Sequence, residues 1–293
     1  MSGVLRATLV GYVAVVLWGL LALLTRLTGG RIPPFQLLAM TFGIAFVLMC
    51  LNWWRRGESG LAHARQPWQA WLIGVGGYFG YHFCYFLAMS KAPVVEVSLL
   101  AYLWPLLIVL FASLLPGERL LKRYLVGAVI ALYGCWLLVG GHRGGFSPEY
   151  LSGYLLALAC ALIWSAYSVL SRLVSRVPTD AVGWFCAVTA VLALCCHWLW
   201  EKTVWPGHML EWFGIIGLGI GPMGIAFFTW DYGIKHGNLQ LLGVLAYSAP
   251  LISTLVLVMA GMAENGPTLW LACAAIVAGS LIAGWRGRKS AQA

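Results

Sequence analysis

Ten long runs of apolar residues occupy most of the chain, separated by short clusters of charge, proline and glycine. They fall at about 8–28, 34–54, 68–90, 94–114, 121–139, 151–173, 181–200, 210–234, 238–260 and 268–285. Each is close to the ~20 residues a helix needs to cross the hydrocarbon of a bilayer. The pattern therefore predicts an all-α integral membrane protein with ten transmembrane helices and short connections. The first run is too long for the apolar core of a signal peptide, and no small-residue cleavage site follows it, so it is expected to be retained as a span.

Composition agrees with this pattern. The 293 residues are 61% hydrophobic and only 9% charged. Soluble domains run near 45–50% apolar and about 25% charged, so a disordered chain and a water-covered globule are both excluded. The net charge of +9 would suggest nucleic acid on a soluble protein. Here the basic residues sort by side instead, so no nucleic-acid partner is expected. With the N-terminus placed inside, 13 Lys and Arg lie on the inner side and 5 (Arg26, Arg31, Lys91, Arg143 and Lys202) on the outer. That excess predicts both termini in the cytoplasm. The eight cysteines all lie in apolar runs and form no CxxC, so they read as small core residues, with no metal or other cofactor implied.

The two halves of the chain match at a nearly constant offset. Leu23-Leu24-Thr25-Arg26-Leu27 falls on Val169-Leu170-Ser171-Arg172-Leu173, and Trp18 on Trp164, at 146 residues. Tyr102-Leu103-Trp104-Pro105 falls on Tyr247-Ser248-Ala249-Pro250 at 145. Gly74 and Gly76 fall on Gly219 and Gly221, Gly134 on Gly279, and Glu118 on Glu264. The offset is half the chain length, which predicts a duplicated unit, residues 1–145 and 146–293. Five spans per unit is an odd number, so the second unit would enter the membrane from the opposite side. Such inverted repeats place a central binding cavity at their interface.

These features resemble the drug/metabolite transporter superfamily in its EamA-like, ten-helix form. The residues that carry the resemblance are Trp18 and Trp164, the Tyr…Pro pairs of the fourth and ninth helices, Gly117-Glu118-Arg119 before the fifth, and Gly127…Gly134 within it. The aromatic-rich third and fourth helices resemble, within that superfamily, the YddG-type aromatic amino acid exporters of bacterial inner membranes. The resemblance implies export of aromatic amino acids, other small amphipathic metabolites and some flat toxic cations. It also implies a cavity lined by helices 1, 3, 4, 6, 8 and 9, with helices 5 and 10 outside. The partners expected are a small-molecule substrate and the lipid bilayer. The sequence leaves the oligomeric state open and is compatible with a monomer.

The candidate site residues lie near the middle of their spans. Pro105 and Pro250 each remove a donor and clash with the carbonyl four residues earlier, those of Ala101 and Ala246. Freed carbonyls need a partner in hydrocarbon, so the two kinks either pack against a neighbouring helix or frame a gated cavity. On the third helix Tyr78, His82 and Tyr85 share one face at i, i+4, i+7. His82 is the only acid or base near mid-depth. It is either a neutral histidine satisfied locally or a group that handles substrate or a proton. At offset 145 the matching residues are Met223, Phe227 and Trp230, so one half keeps a polar face and the other an apolar one. Trp18 and Trp164 sit away from the interfacial belts where tryptophan collects and need partners for their indole N–H groups, in packing or in a site. Tyr102, Trp104 and Tyr247 add rings beside the kinks, which suits stacking and cation–π contact. Gly76-x-x-x-Gly80 and Gly217-x-x-x-Gly221 read as close-packing faces.

The chain shows no P-loop, metal-ligand spacing or nucleophile constellation, and no carboxylate at mid-depth. A facilitated, gradient-driven carrier is therefore expected over an ATP-driven pump or carboxylate-based proton antiport. A lipid-modifying enzyme with His82 as base would lack acid or metal partners, so an enzyme is not expected. A channel would show non-saturating flux. A sugar-phosphate carrier would need cavity Lys or Arg for the phosphate.

Overall fold

The structure is a computed structural model that describes residues 3–139, 147–263 and 266–285. The expected boundary between units at 145/146, and Arg143, Glu264, Arg286, Arg288 and Lys289, lie outside the described residues. Among the described residues ten helices are long and apolar enough to cross a membrane: α1 Gly3–Leu27, α2 Pro34–Arg56, α3 Trp68–Met89, α4 Val94–Ala112, α5 Lys122–Val139, α6 Pro148–Leu170, α7 Ala181–Trp200, α8 Met209–His236, α9 Leu239–Met259 and α10 Pro267–Gly284. Among the described residues there is no strand. Their number and order follow the apolar runs. Large apolar side chains that a soluble protein would bury, such as Leu114, Leu199 and Met209, project from the bundle, as lipid-facing side chains must.

Four helices are interrupted. In α4 the helix stops at Ala101 and resumes at Trp104; in α9 it stops at Ala246 and resumes at Ser248. Pro105 and Pro250 thus lie in the opening turns of the second halves. A missing N–H costs nothing there, because first-turn donors have no intrahelical partner. The kinks expected from these prolines are present. Two others were not expected. In α1 the helix is broken by a turn at Leu20. In α8 residues Gly221–Ile225, which include Pro222, form a π-helical turn.

Helices pack across the two halves. Gly11 of α1 meets Gly233 of α8 so closely that a β-carbon on Gly11 would lie 2.9 Å from the Gly233 Cα. Under the repeat offset the same roles are exchanged in α6 and α3, where a β-carbon on Gly77 would lie 2.6 Å from the Tyr167 ring. The helices α2 and α7, and likewise α5 and α10, pack on their own counterparts. Gly127 lies against Gly279 and Ala283, whereas Gly134 lies against Ala272 and Ile276, so α5 and α10 run antiparallel. Arg56 reaches Asp180 at one end of α2 and α7, and Phe35 reaches Glu201 at the other, so this pair is antiparallel too. Equivalent helices running in opposite directions fit an inverted repeat.

The glycine faces differ in part from the expectation. A β-carbon on Gly76 would meet nothing within 4 Å, whereas Gly74 faces Phe185 at 2.4 Å. The close contacts of α3 thus run through Gly74 and Gly77. Gly217 does pack, on Leu24, at 2.8 Å.

Overpacking a tight contact typically costs about 1–3 kcal/mol. Gly233→Ala should lower the melting temperature of the detergent-purified protein and Gly76→Ala should leave it unchanged. Equal melting of the two variants would contradict this packing scheme.

Candidate functional site

The broken helices meet around one cavity of about 910 Å³. Let the proximal face be the one that carries the start of α1, and the distal face the one that carries the α1–α2 and α3–α4 connections. The first half of α9 packs on the second half of α4 near the proximal face, with Gly243 against the Pro105 carbonyl and Ile108. The symmetry-related halves, Val94–Ala101 and Ser248–Met259, stand apart. Ser98, Ala101, Ala249 and Ser253 on them line the cavity. Arg26, Gly29, Gly30, Met89 and Val94, all toward the distal face, also line it. The cavity therefore reaches the distal face and is closed toward the proximal one.

The floor is a cluster of rings. Trp18 has its ring centroid 5.7 Å from Trp164, 5.1 Å from Trp230 and 6.1 Å from Trp104. Trp164 packs edge-to-face on Phe227 at 5.5 Å. Such edge contacts suit ring quadrupoles and make a rigid wall. Above it Tyr81 stacks on Tyr85 with ring planes 5° apart.

Of the residues singled out by sequence, Trp18, His82, Tyr85, Tyr102, Trp104 and Trp164 line this cavity. Tyr78 and Tyr247 are fully buried behind it, and neither they nor Pro105 and Pro250 line it. The lining stripe of α3 is Tyr81, His82, Tyr85, Phe86 and Met89. Tyr78 lies one turn deeper, with its hydroxyl 2.9 Å from that of Tyr167. Sequence reading missed Tyr81, although it shares i, i+4 spacing with Tyr85. It also left out α2, which contributes Pro34, Leu37, Leu38 and Thr41 alongside the six helices implied by the resemblance. Helices α5 and α10 contribute nothing to the lining.

The polar groups have specific partners. His82 Nδ1 lies 2.7 Å from the Tyr78 carbonyl oxygen. A carbonyl only accepts, so Nδ1 carries the proton, and Nε2 is the ring nitrogen available to the cavity. Trp18 donates its indole N–H to the Pro222 carbonyl at 3.1 Å, in the π turn of α8. Its counterpart Trp164 has no protein acceptor for its N–H among the described residues. The hydroxyl oxygen of Tyr247 accepts the Leu106 N–H at 3.2 Å, meeting one donor of the helical turn that Pro105 opens. Its counterpart Tyr102 faces the cavity. Ser165 donates to the Trp104 carbonyl at 3.1 Å and to that of Ala161 at 2.6 Å.

Beneath the floor is a buried ion pair. Lys235 Nζ lies 2.8 Å from Asp231 Oδ2 and donates to the Val177 carbonyl at 3.0 Å. Thr179 donates to the same carboxylate oxygen at 2.7 Å, and Tyr167 to Oδ1 at 3.5 Å. An apolar run ending at 234 places Lys235 in a connection and Asp231 near a helix end. Because α8 continues to His236, both are inside the bundle, with side chains 3% and 2% exposed. Nearby, Arg172 donates to the Ile234 carbonyl at 2.9 Å, to Glu118 at 2.8 Å and to the Gly237 carbonyl. These bonds tie α6, α8 and the α4–α5 connection together at the proximal face. Among the described residues that line the cavity there is no Asp or Glu.

A model of the EamA-like transporter family matches residues 5–140 and 151–285. The two starts, like the sequence repeat, are 146 residues apart. The chain is 53% identical to the "Aromatic amino acid exporter YddG" of Ancylobacter novellus, covering 94% of this chain and 96% of that protein. It is 28% identical to the exporter of the same name from Salmonella typhimurium, with the same coverage. It is 26% identical to the "Pseudopaline exporter CntI" of Pseudomonas aeruginosa, covering 84% and 83%. A crystal structure 50% identical in sequence superposes with a TM-score of 0.92 over 98% of this chain and 99% of its own.

Two stability effects are expected. Tyr247→Phe leaves the Leu106 N–H without its partner and should cost about 1 kcal/mol. Tyr102→Phe should cost nothing measurable in the same unfolding assay. Removing one member of the buried pair, as in Lys235→Met, should cost about 3–5 kcal/mol, and the added change Asp231→Leu should restore most of it. A double variant no more stable than Lys235→Met would show that the pair is not one energetic unit.

Proposed function

Because the chain belongs to the EamA-like transporter family, we propose that it is an exporter of aromatic amino acids and related small amphipathic metabolites in a bacterial inner membrane, working by alternating access. The observation that carries this reading is a ring-walled cavity open at one face and closed at the other by the matching halves of α4 and α9. Two inverted five-helix units would exchange these arrangements. The basic residues concentrate at the proximal face, so we place that face, and both termini, in the cytoplasm. The structure then corresponds to the outward-open state, from which an exporter releases its substrate.

The floor suits a flat ring, with Trp18 and Trp104 holding the walls through their own contacts. Trp164 N–H and His82 Nε2 are two of the polar atoms set among those rings. In this reading they orient the polar end of a substrate whose ring is enclosed by Tyr81, Tyr85, Trp164 and Phe227. Pro105 and Pro250 are hinges about which the halves of α4 and α9 approach or part. His82 has a carbonyl and not a carboxylate as its partner, which suits a hydrogen-bonding role better than that of a catalytic base. The described lining residues, with no acid and a single arginine, suit zwitterions better than sugar phosphates. With no carboxylate among them to carry a proton, a facilitated mechanism is proposed.

Labelled phenylalanine counterflow in proteoliposomes tests this. Flux should saturate and be stimulated by unlabelled phenylalanine on the opposite side. His82→Ala, and Trp164→Phe, which keeps a ring but removes the N–H, should each reduce flux about tenfold, the worth of one desolvated hydrogen bond of ~1.4 kcal/mol. Wild-type rates in both folded variants would remove these residues from the site.

A further inference from the structure

We propose that Asp231 and Lys235 receive the ammonium and the carboxylate of the substrate when the cavity opens at the proximal face. This rests on the alternating-access reading above and names the residues met on that side. The repeat carries the argument. Leu21, Pro34 and Phe86 line the open cavity. Their counterparts are Tyr167 at offset 146, and Thr179 and Asp231 at offset 145. The offset at Thr179 is fixed by Arg31-Ile32-Pro33, which falls on Arg176-Val177-Pro178. At the closed face these counterparts meet on one carboxylate: Thr179 donates to Asp231 at 2.7 Å and Tyr167 at 3.5 Å. When the two units exchange arrangements, these three positions become cavity wall, as Leu21, Pro34 and Phe86 are here. Asp231 then faces a cavity open at the proximal face.

The position suits an aromatic amino acid. Phe227 belongs to the ring floor and lies one turn before Asp231 on α8, about 6 Å along the helix. Trp230, whose ring centroid is 5.1 Å from that of Trp18, precedes Asp231 directly. A ring held against the floor from the proximal side thus leaves its polar end beside the pair. Under the exchange the place of His82 is taken by Phe227, and the polar contact passes to Asp231, one turn on. Lys235 Nζ is 2.8 Å from Asp231 Oδ2. An α-amino acid carries its two charged groups on one carbon, so both reach a pair this close at once, ammonium to Asp231 and carboxylate to Lys235. The pair as a whole is neutral. A zwitterion compensates both of its charges, whereas an aromatic amine or an aromatic acid adds a net charge to a desolvated place, which is the costly arrangement. With the proximal face closed the pair is satisfied by Thr179, Tyr167 and the Val177 carbonyl, so it stands without substrate.

The test measures three inhibition constants against labelled phenylalanine, each competitor being added at the proximal side of proteoliposomes of uniform orientation. The competitors are unlabelled phenylalanine, 3-phenylpropionate, which lacks the amine, and phenethylamine, which lacks the carboxylate. In the wild type phenylalanine should compete at least about tenfold better than either analogue, the worth of one hydrogen bond to a charged group. The double variant Asp231→Leu with Lys235→Met, expected above to keep most of the stability, should raise the constant of phenylalanine by about that factor. It should leave the constants of the two analogues unchanged or lower. Asp231→Asn, which keeps the shape and leaves Lys235 its charge, should move the preference toward 3-phenylpropionate, and it serves in place of the double variant should that fail to fold. An equal shift of all three constants would show that the pair acts only on folding or on the balance between the open states. Unshifted constants, or a wild type that does not favour the zwitterion, would remove the pair from recognition. Each of these results overturns the assignment while leaving the transport reading standing. A wild type that carries no aromatic solute overturns the function proposed above, and this assignment with it.

Discussion

Inside hydrocarbon no water is present to bond an exposed N–H or C=O, so every break in a helix must be met from within the protein. This constraint governs the molecule. Its four interrupted helices, α1, α4, α8 and α9, are those that meet around the cavity. Side chains at and behind the cavity act partly as backbone partners: Tyr247 for the Leu106 N–H, Trp18 for the Pro222 carbonyl, Ser165 for that of Trp104. The irregular backbone that permits a cavity also dictates which polar side chains must stand beside it.

Duplication turns this constraint into an asymmetry. Tyr247 and Tyr102 are equivalent by sequence, yet the first holds a backbone N–H and the second faces the cavity. Trp18 is bonded, and Trp164 has no acceptor for its N–H among the described residues. Arg172 is saturated at the closed face, while Arg26 bonds the Met262 carbonyl at the open one. Ser165 bridges to Trp104, while its counterpart Gly19 simply lies close to Ala249, the counterpart of Trp104. In each of the first two pairs one member is tied to a backbone group, and its partner lines the cavity without such a bond among the described residues. Two copies of one unit can thus serve as wall and as site within a single conformation.

Charge follows the same division. The buried Asp231–Lys235 pair satisfies itself through Thr179, Tyr167 and the Val177 carbonyl, so it is a neutral, hydrogen-bonded unit beneath the floor. The described residues that line the cavity above it include no acid. Pairing the two buried charges spares the bundle an isolated buried charge, which would be far more costly.

The sequence alone determined what depends on composition and period. It gave the number and order of the spans, because only long apolar runs can cross a bilayer. It also gave the duplication, because Trp, Pro and Arg recur at one offset, and the kinks of α4 and α9, because proline has no N–H. It brought Trp18, His82, Tyr85, Tyr102, Trp104 and Trp164 forward as candidates for the cavity wall. Only the tertiary structure decided which of two equivalent residues faces the cavity. Helical spacing does not reveal that the lining stripe of α3 passes through Tyr81 and leaves Tyr78 beneath it, nor that Gly74 and not Gly76 meets a neighbour. The π turn of α8 and the burial of Lys235 against Asp231 are likewise absent from any one helix. A helix has several faces of similar polarity in a chain this apolar, and the rotation each adopts is fixed by the neighbours it packs against.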